Sequence, residues 1–367
     1  MKSQLVLDRS LWVALAALGV ALAGCSGGDT TAATGAEPAK GPTYYRDAKA
    51  IIDAKCAGCH NDGGIAPFAL TSYAEVSAHK AEIASAVTRG TMPPWPPEKS
   101  CGEYTDDRSL SEEQSAALTG WVSAGALEGH PSEAPTAQKP ARGLSRVDLT
   151  LEMPVAYTPV TAPDDYRCFM VDWPGDKTTY VTGFGVEPGT AAIVHHVIAY
   201  LIPPADVAEY QKLDDAEPGP GYTCFGGSGG TNAGWIGGWA PGALGNDFPA
   251  GTGIEVTPGS RVVLQIHYNT STTAASADRS KVVLKIDPTV EKKAFVMPWA
   301  NPSWIKEKTM VIPAHTADAT ASWAFDPSPF MGAISKGVLA NSQPYTIYSA
   351  GLHMHTRGTS AVTRIER

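Results

Sequence analysis

The sequence predicts a chain of several domains, a small all-α domain followed by mainly antiparallel β-sandwich structure. Three observations carry this. At 367 residues the chain is long enough for two or three cores of ordinary size. Charged residues make up only 18% while Gly (37) and Pro (29) are abundant, a composition of turn-rich β structure rather than long helices. The texture also changes near residue 147, from helical signatures to short β-branched and aromatic runs separated by Gly/Pro/Asn/Asp clusters. The formal net charge of −9 argues against a nucleic-acid partner.

Residues 1–24 read as an export signal. Lys2 and Arg9 are basic, Leu11 to Ala23 is apolar but short for a membrane span, and Leu22-Ala23-Gly24-Cys25 closes the run. That ending resembles the lipobox of bacterial lipoproteins, the alternative being an ordinary cleaved signal with a chance cysteine. The resemblance implies a lipid-anchored Cys25 and a periplasm-facing protein of the bacterial cell envelope. Ser26 resembles the sorting pattern of the outer rather than the inner membrane. Residues 25–42 are small, polar and Pro/Gly-rich, and read as a flexible tether.

Residues 43–130 carry the helical signatures. Tyr45, Ile51 and Ile52 precede Cys56-Ala57-Gly58-Cys59-His60, and Ser111-Glu112-Glu113-Gln114 is a capping box opening a helix through Leu118, Trp121 and Val122. Two thiols one helical turn apart can add to the two vinyl groups of one haem, and the next residue's imidazole then reaches the iron. A zinc knuckle would want a second Cys/His pair nearby, and a redox-active CxxC has no need of His60, so the motif predicts haem c. For the sixth iron ligand the sequence offers Met92 in the stiff Thr91-Met92-Pro93-Pro94-Trp95 loop, with His79, on an apparent amphipathic helix, as competitor. The segment resembles the small cytochrome c modules of bacterial redox proteins, including its Trp121-Val122-Ser123-Ala124-Gly125-Ala126 ending. A Pro-rich linker follows at 131–146.

Strand-like runs then recur at Tyr180 to Phe184, Ile193 to Ile202, Arg261 to Tyr268, Lys281 to Ile286 and Thr346 to Ala350. No Gly-rich phosphate loop follows any of them, so a nucleotide-binding unit is not supported. Five histidines lie in strand-like apolar segments, His195 and His196 in Ile193 to Ile198, His267 in Leu264 to Tyr268, and His353 and His355 in Leu352 to His355. On a strand His353 and His355 face the same side, ready for one metal. His195 and His196 face opposite sides of a regular strand and can share a metal only if a bulge or strand end re-aims one of them. Imidazole-rich sites suit copper or zinc.

In order and spacing, HHVIAYL, LQIHYN and HMHTRG resemble the copper type II ascorbate-dependent monooxygenases, the family of dopamine β-monooxygenase and peptidylglycine α-hydroxylating monooxygenase. Asp165-Tyr166-Arg167-Cys168, Trp239-Ala240-Pro241, Phe248-Pro249, Gly253 and Gln265-Ile266-His267-Tyr268 extend the likeness over about residues 150–367. It implies two consecutive antiparallel, jelly-roll-like sandwiches, each holding one copper, at 147–287 and 288–367. By the resemblance His195, His196 and His267 hold the electron-transfer copper, and His353 and His355 contribute to the oxygen-binding copper. The animal enzymes are rich in disulfides. Here only Cys168 and Cys224 fall in the first sandwich and are expected to pair, leaving Cys101 without an assigned partner.

The sequence departs from this family after His355. The family's second copper takes a downstream methionine, whereas this chain ends at Arg367, and Met354 would point the opposite way from its flanking histidines on a strand. The second sandwich and its copper site are therefore expected to be incomplete. The function expected is a haem-coupled, copper-dependent monooxygenase with one to two coppers. It would insert oxygen from O2 into a C–H bond of an organic substrate, using electrons from a redox protein or small reductant delivered through haem c. The alternative is a membrane-tethered electron-transfer cytochrome whose β domain binds copper without catalysis.

Overall fold

The four strand-like runs between residues 180 and 286 all become strands, because each finds neighbours of matching alternation. The computed structural model describes residues 41–95, 97–104, 107–136, 143–354 and 358–366. Its helices before the β region are α1 (Lys49–Lys55), α2 (Tyr73–Ala78), α3 (Lys80–Thr88) and α4 (Glu112–Ser123). The strands are β1 (Leu149–Glu152), β2 (Asp164–Asp172), β3 (Thr179–Glu187), β4 (Val194–Ile202), β5 (Tyr222–Thr223), β6 (Gly234–Trp239), β7 (Asn246–Asp247), β8 (Thr252–Val256), β9 (Arg261–Asn269), β10 (Lys281–Asp287) and β11 (Lys292–Lys293). Helix α5 (Val207–Ala216) lies between β4 and β5.

The strands form two sheets, in the orders β1-β10-β3-β8-β11, with β7 also on β3, and β5-β2-β9-β4-β6. Their pairings are antiparallel apart from the short parallel one between β11 and β8. Alternation then makes a β-sandwich. Val262, Leu264, Ile266 and Tyr268 of β9 enter one core together with Val181 and Phe184 of β3 and Val282 and Leu284 of β10. The residues between them in β9 face the other way. Val263 joins Cys168, Tyr200, Ile202, Tyr210, Tyr222 and Cys224 in a second cluster, to which α5 contributes Tyr210. Strand β9 is therefore buried on both faces, and His267 is the last buried residue of its outer row.

The expected Cys168–Cys224 disulfide is present, closing a loop with a sequence separation of 56. Gln265 Nε2 donates to the Cys224 carbonyl at 2.7 Å and also to that of Gly227, fixing the loop beyond the disulfide. Buried Arg167 donates to the carbonyls of Pro220 (2.9 Å) and Gly221 (2.7 Å) and to Glu217 Oε2 (2.6 Å). An uncompensated guanidinium would be costly there, and these acceptors satisfy it.

In the helical region a π-helical turn at Tyr44–Ala48 leads into α1. Tyr44, Ile52, Leu70, Val76, Ile83, Leu118 and Trp121 pack into a core of their own. The capping box expected at Ser111 forms with Gln114, and a second joins Ser72 to Glu75. His79 is not within one amphipathic helix, as expected, but at the junction of α2 and α3.

Beyond β11 the expectation fails. From residue 294 on, the described residues carry the short helices α6 (Pro302–Lys306) and α7 (Met331–Ile334), a 3-10 turn at Ser328–Phe330 and one bridge from Val296 to Trp235, but no strand. The run Thr346 to Ala350 is irregular and exposed, with Ile347 at 52% and Tyr348 at 49%. A strand exists only through its ladder, and among the described residues none pairs with this run. Among the described residues of 288–367 the expected partial second sandwich is thus not formed. Trp323, Phe325 and Phe330 stack in sequence instead, with Trp299 tilted against Trp323. The expected signal at 1–24, the expected lipid anchor Cys25 and the expected tether up to residue 40 lie outside the described residues. No described helix is long and apolar enough to cross a membrane.

Candidate metal centre

A one-residue bulge assembles the site. In β4 against β9, Val194 pairs with Tyr268, His196 with His267 and Val197 with Ile266, so His195 is an extra residue in the ladder. Val194 and Val197 both enter the sandwich core, which two residues three apart cannot do on a regular strand. The bulge thus sets two histidines of β4 opposite one on β9. This meets the condition on which His195 and His196 could share a metal.

The ring nitrogens converge. His196 Nδ1 lies 3.2 Å from His267 Nδ1 and 3.5 Å from His195 Nδ1. Ligand atoms of the three residues all lie within 4.8 Å of one another, against about 4.2 Å for two metal–nitrogen bonds of about 2.1 Å in line. A small side-chain movement closes the set. His267 is buried, His196 half-buried and His195 exposed, so the cluster opens to solvent on one side.

A second layer holds His267. Asp164 Oδ1 accepts a hydrogen bond from its Nε2 at 2.9 Å, which leaves Nδ1 as the lone pair facing His196. The same oxygen accepts from Asn269 Nδ2 at 2.8 Å, and these donors, Asn269 foremost, hold the Asp164 carboxyl below its ordinary pKa. Tyr166, the ladder partner of His267, stacks on it with ring centroids 4.0 Å apart and planes 5° from parallel. Phe225, next to the disulfide, meets Tyr166 edge-on at 4.9 Å. Three imidazoles with a carboxylate behind one of them make a donor set suited to copper or zinc.

The Cys56, Cys59 and His60 side chains, expected from the sequence to take a haem, offer donors that could hold one. Cys56 and Cys59 are half-buried and not joined to each other. Burial, with Cys59 close by, pushes the Cys56 thiol up to about 11. His60 Nδ1 donates to the Phe68 carbonyl at 3.0 Å, leaving Nε2 for an iron. Burial lowers the His60 pKa, and the Phe68 hydrogen bond opposes that. Met92 is 46% exposed and lines a cavity of about 170 Å³ with Val87, Pro93, Trp95 and Leu110. Trp95 Nε1 is buried in the same place with no acceptor among the described residues, a donor available to a bound polar group. The competitor His79 stacks on Phe68 with ring centroids 3.8 Å apart.

Other expected site residues are not gathered. His353 is exposed in a strandless stretch, and His355 lies outside the described residues, so no second histidine cluster is seen among those described. Cys101 is an exposed free thiol. Asp164 and Asn269 escaped the sequence reading because their role depends on cross-strand register. The one available signal was that Asp164, Tyr166 and Cys168 share a face.

Fold and site together define a β-sandwich protein with a three-histidine cluster that could hold a metal ion. No known protein family matches the chain, and no curated protein is similar enough to count as a relative.

Proposed function

We propose that the protein is a haem-coupled copper monooxygenase of the cell envelope, tethered to membrane lipid through Cys25. The observation that supports it best is the bulge that brings His195, His196 and His267 to one point, an irregularity that packing alone does not require. When bound, the haem and the copper each supply a one-electron redox change. The chain's own residues prepare for them. Asp164 and Tyr166 orient His267, the Phe68 carbonyl orients His60, and Met92, on a proline-stiffened loop, would supply a thioether ligand to the iron. A redox protein or small reductant provides the electrons. The reaction served is R–H + O2 + 2e⁻ + 2H⁺ → R–OH + H2O, with R–H an organic substrate.

A second reading, a tethered electron carrier with at most one, non-catalytic copper, is favoured by the exposed, strandless setting of His353. Copper-to-haem ratio after loading and removal of loosely bound metal separates the two. A ratio near two keeps oxygen chemistry open, and a ratio of one or less selects the carrier. The monooxygenase reading fails if reduced, copper-loaded protein with O2 yields no hydroxylated product from any C–H substrate while its haem stays reduced.

A further inference from the structure

Arg108 belongs to the helical region and reaches across to the β region. On the helical side its segment is tied down by Lys55, the last residue of α1 and the neighbour of Cys56, whose Nζ donates to the Asp107 carbonyl at 2.8 Å. The Arg108 charge also acts on Cys59, opposing the burial that raises that thiol's pKa. On the β side, Arg108 Nη1 donates to the Pro241 carbonyl at 3.1 Å. Gly242 follows with φ +84°, and a Cβ there would lie 2.6 Å from Arg108 Nη1 and 3.1 Å from its Cζ. The turn is therefore shaped around the guanidinium. Pro241 stands two residues beyond Trp239, whose ladder partner Val197 adjoins His196.

We infer that Arg108 is a docking latch that seats the Cys56/Cys59/His60 module on the 239–242 turn, making that turn the electron-entry surface of the histidine cluster. A guanidinium suits the task. It stays charged, and its fixed fork reaches a carbonyl in a way the lysine ammonium does not reproduce. Contacts between domains otherwise permit relative motion, and undocked modules on a linker meet at an effective concentration only on the order of millimolar. The electron-entry role rests on the proposed function; the docking itself does not.

The test uses the full chain with Arg108→Ala and, as a milder variant, Arg108→Lys. Solution X-ray scattering of protein without added copper should show a compact parent and a broader distance distribution for Arg108→Ala. In haem-containing, copper-loaded protein, photoreduction of the haem should be followed by copper reduction about tenfold slower in Arg108→Ala. Haem absorbance and copper content should be unchanged, and Arg108→Lys should be intermediate. Scattering and transfer rates equal to the parent's in both variants would overturn the latch. If the parent binds no haem or no copper, the proposed function fails and the electron-entry role with it. Scattering still decides whether Arg108 docks the module.

Discussion

Asp164 Oδ1 lies 2.9 Å from His267 Nε2 and 2.8 Å from Asn269 Nδ2, so one carboxylate oxygen sets both the tautomer and the ring plane of a buried histidine. Tyr166 holds the same imidazole by its face. With edge and face both fixed, His267 is oriented before any metal arrives, and the exposed His195 is left to adjust.

Asp164→Ala should therefore weaken copper binding by about 10–100-fold with the fold intact, since the Asp164 side chain is 45% exposed at the start of β2. Asp164→Asn, whose amide oxygen can still accept from Nε2, should retain more of the affinity. Titration against a competing chelator, with circular dichroism as the control for folding, reads both. Parent-like affinity in Asp164→Ala would remove the orienting role.

The bulge makes an unusual prediction about deletion. Removing His195 leaves Val194 inward, His196 outward and Val197 inward, a regular strand with the registers on either side unchanged. The deletion should cost no more than about 1 kcal/mol while abolishing tight copper binding, because the extra residue serves the site and not the sandwich. Deleting Ile198 instead should prevent folding, since Ala199 and the residues after it would turn to the wrong face. Urea denaturation of the three proteins is the measurement, and an unfolded His195 deletion would contradict it.

Much of this arrangement was legible in the sequence because it depends on local alternation. The runs at Tyr180, Ile193, Arg261 and Lys281 became strands, and the adjacent His195 and His196 could share a metal only through a bulge or a strand end, of which the structure has the bulge. Thr346 to Ala350 carries the same β-rich pattern and is not a strand, because a pattern states only which face would be buried, not whether a partner stands beside it. Asp164 was illegible for a related reason. Its meaning comes from lying opposite Asn269, far along the chain, and only the ladder shows that. Arg108 belongs with it, a loop residue whose partner carbonyl is in another part of the fold.

Replacing Cys168 and Cys224 together by Ala should destabilise the sandwich by about 2–4 kcal/mol, the range for a disulfide closing a loop of this length. Both residues are buried in the cluster beneath α5, so part of the loss is packing. The local effect should be larger than the global one, because the disulfide anchors the segment that sets Phe225 against Tyr166. Hydrogen exchange should rise first at residues 222–228. Uniform protection there after loss of the disulfide would show that the Gln265 and Arg167 hydrogen bonds suffice alone.

Acid should loosen the sandwich where residues 145–148 join it. Asp247 accepts from Lys285 Nζ (2.5 Å) and Ser145 N (3.0 Å), and Asp287 from Thr182 Oγ1 and Arg146 Nη2 (2.6 Å each). Burial pushes the Asp247 pKa up, but the hydrogen bonds from Lys285 and Ser145 outweigh it. The Thr182 hydroxyl foremost, then Arg146, holds Asp287 down. Both carboxyls thus lie below their ordinary value of 3.8. A group depressed in the folded state contributes stability that is fully present above the unfolded-chain value, about 3.9, and is lost as pH falls through the folded value. The urea midpoint should therefore be insensitive to these two groups above about pH 5 and fall steeply below about pH 4. The Asp247→Asn/Asp287→Asn double variant should start lower at neutral pH and lose less on acidification, the two curves approaching each other at the acid end. Curves that stay parallel down to the lowest pH would mean that other carboxylates carry the acid sensitivity.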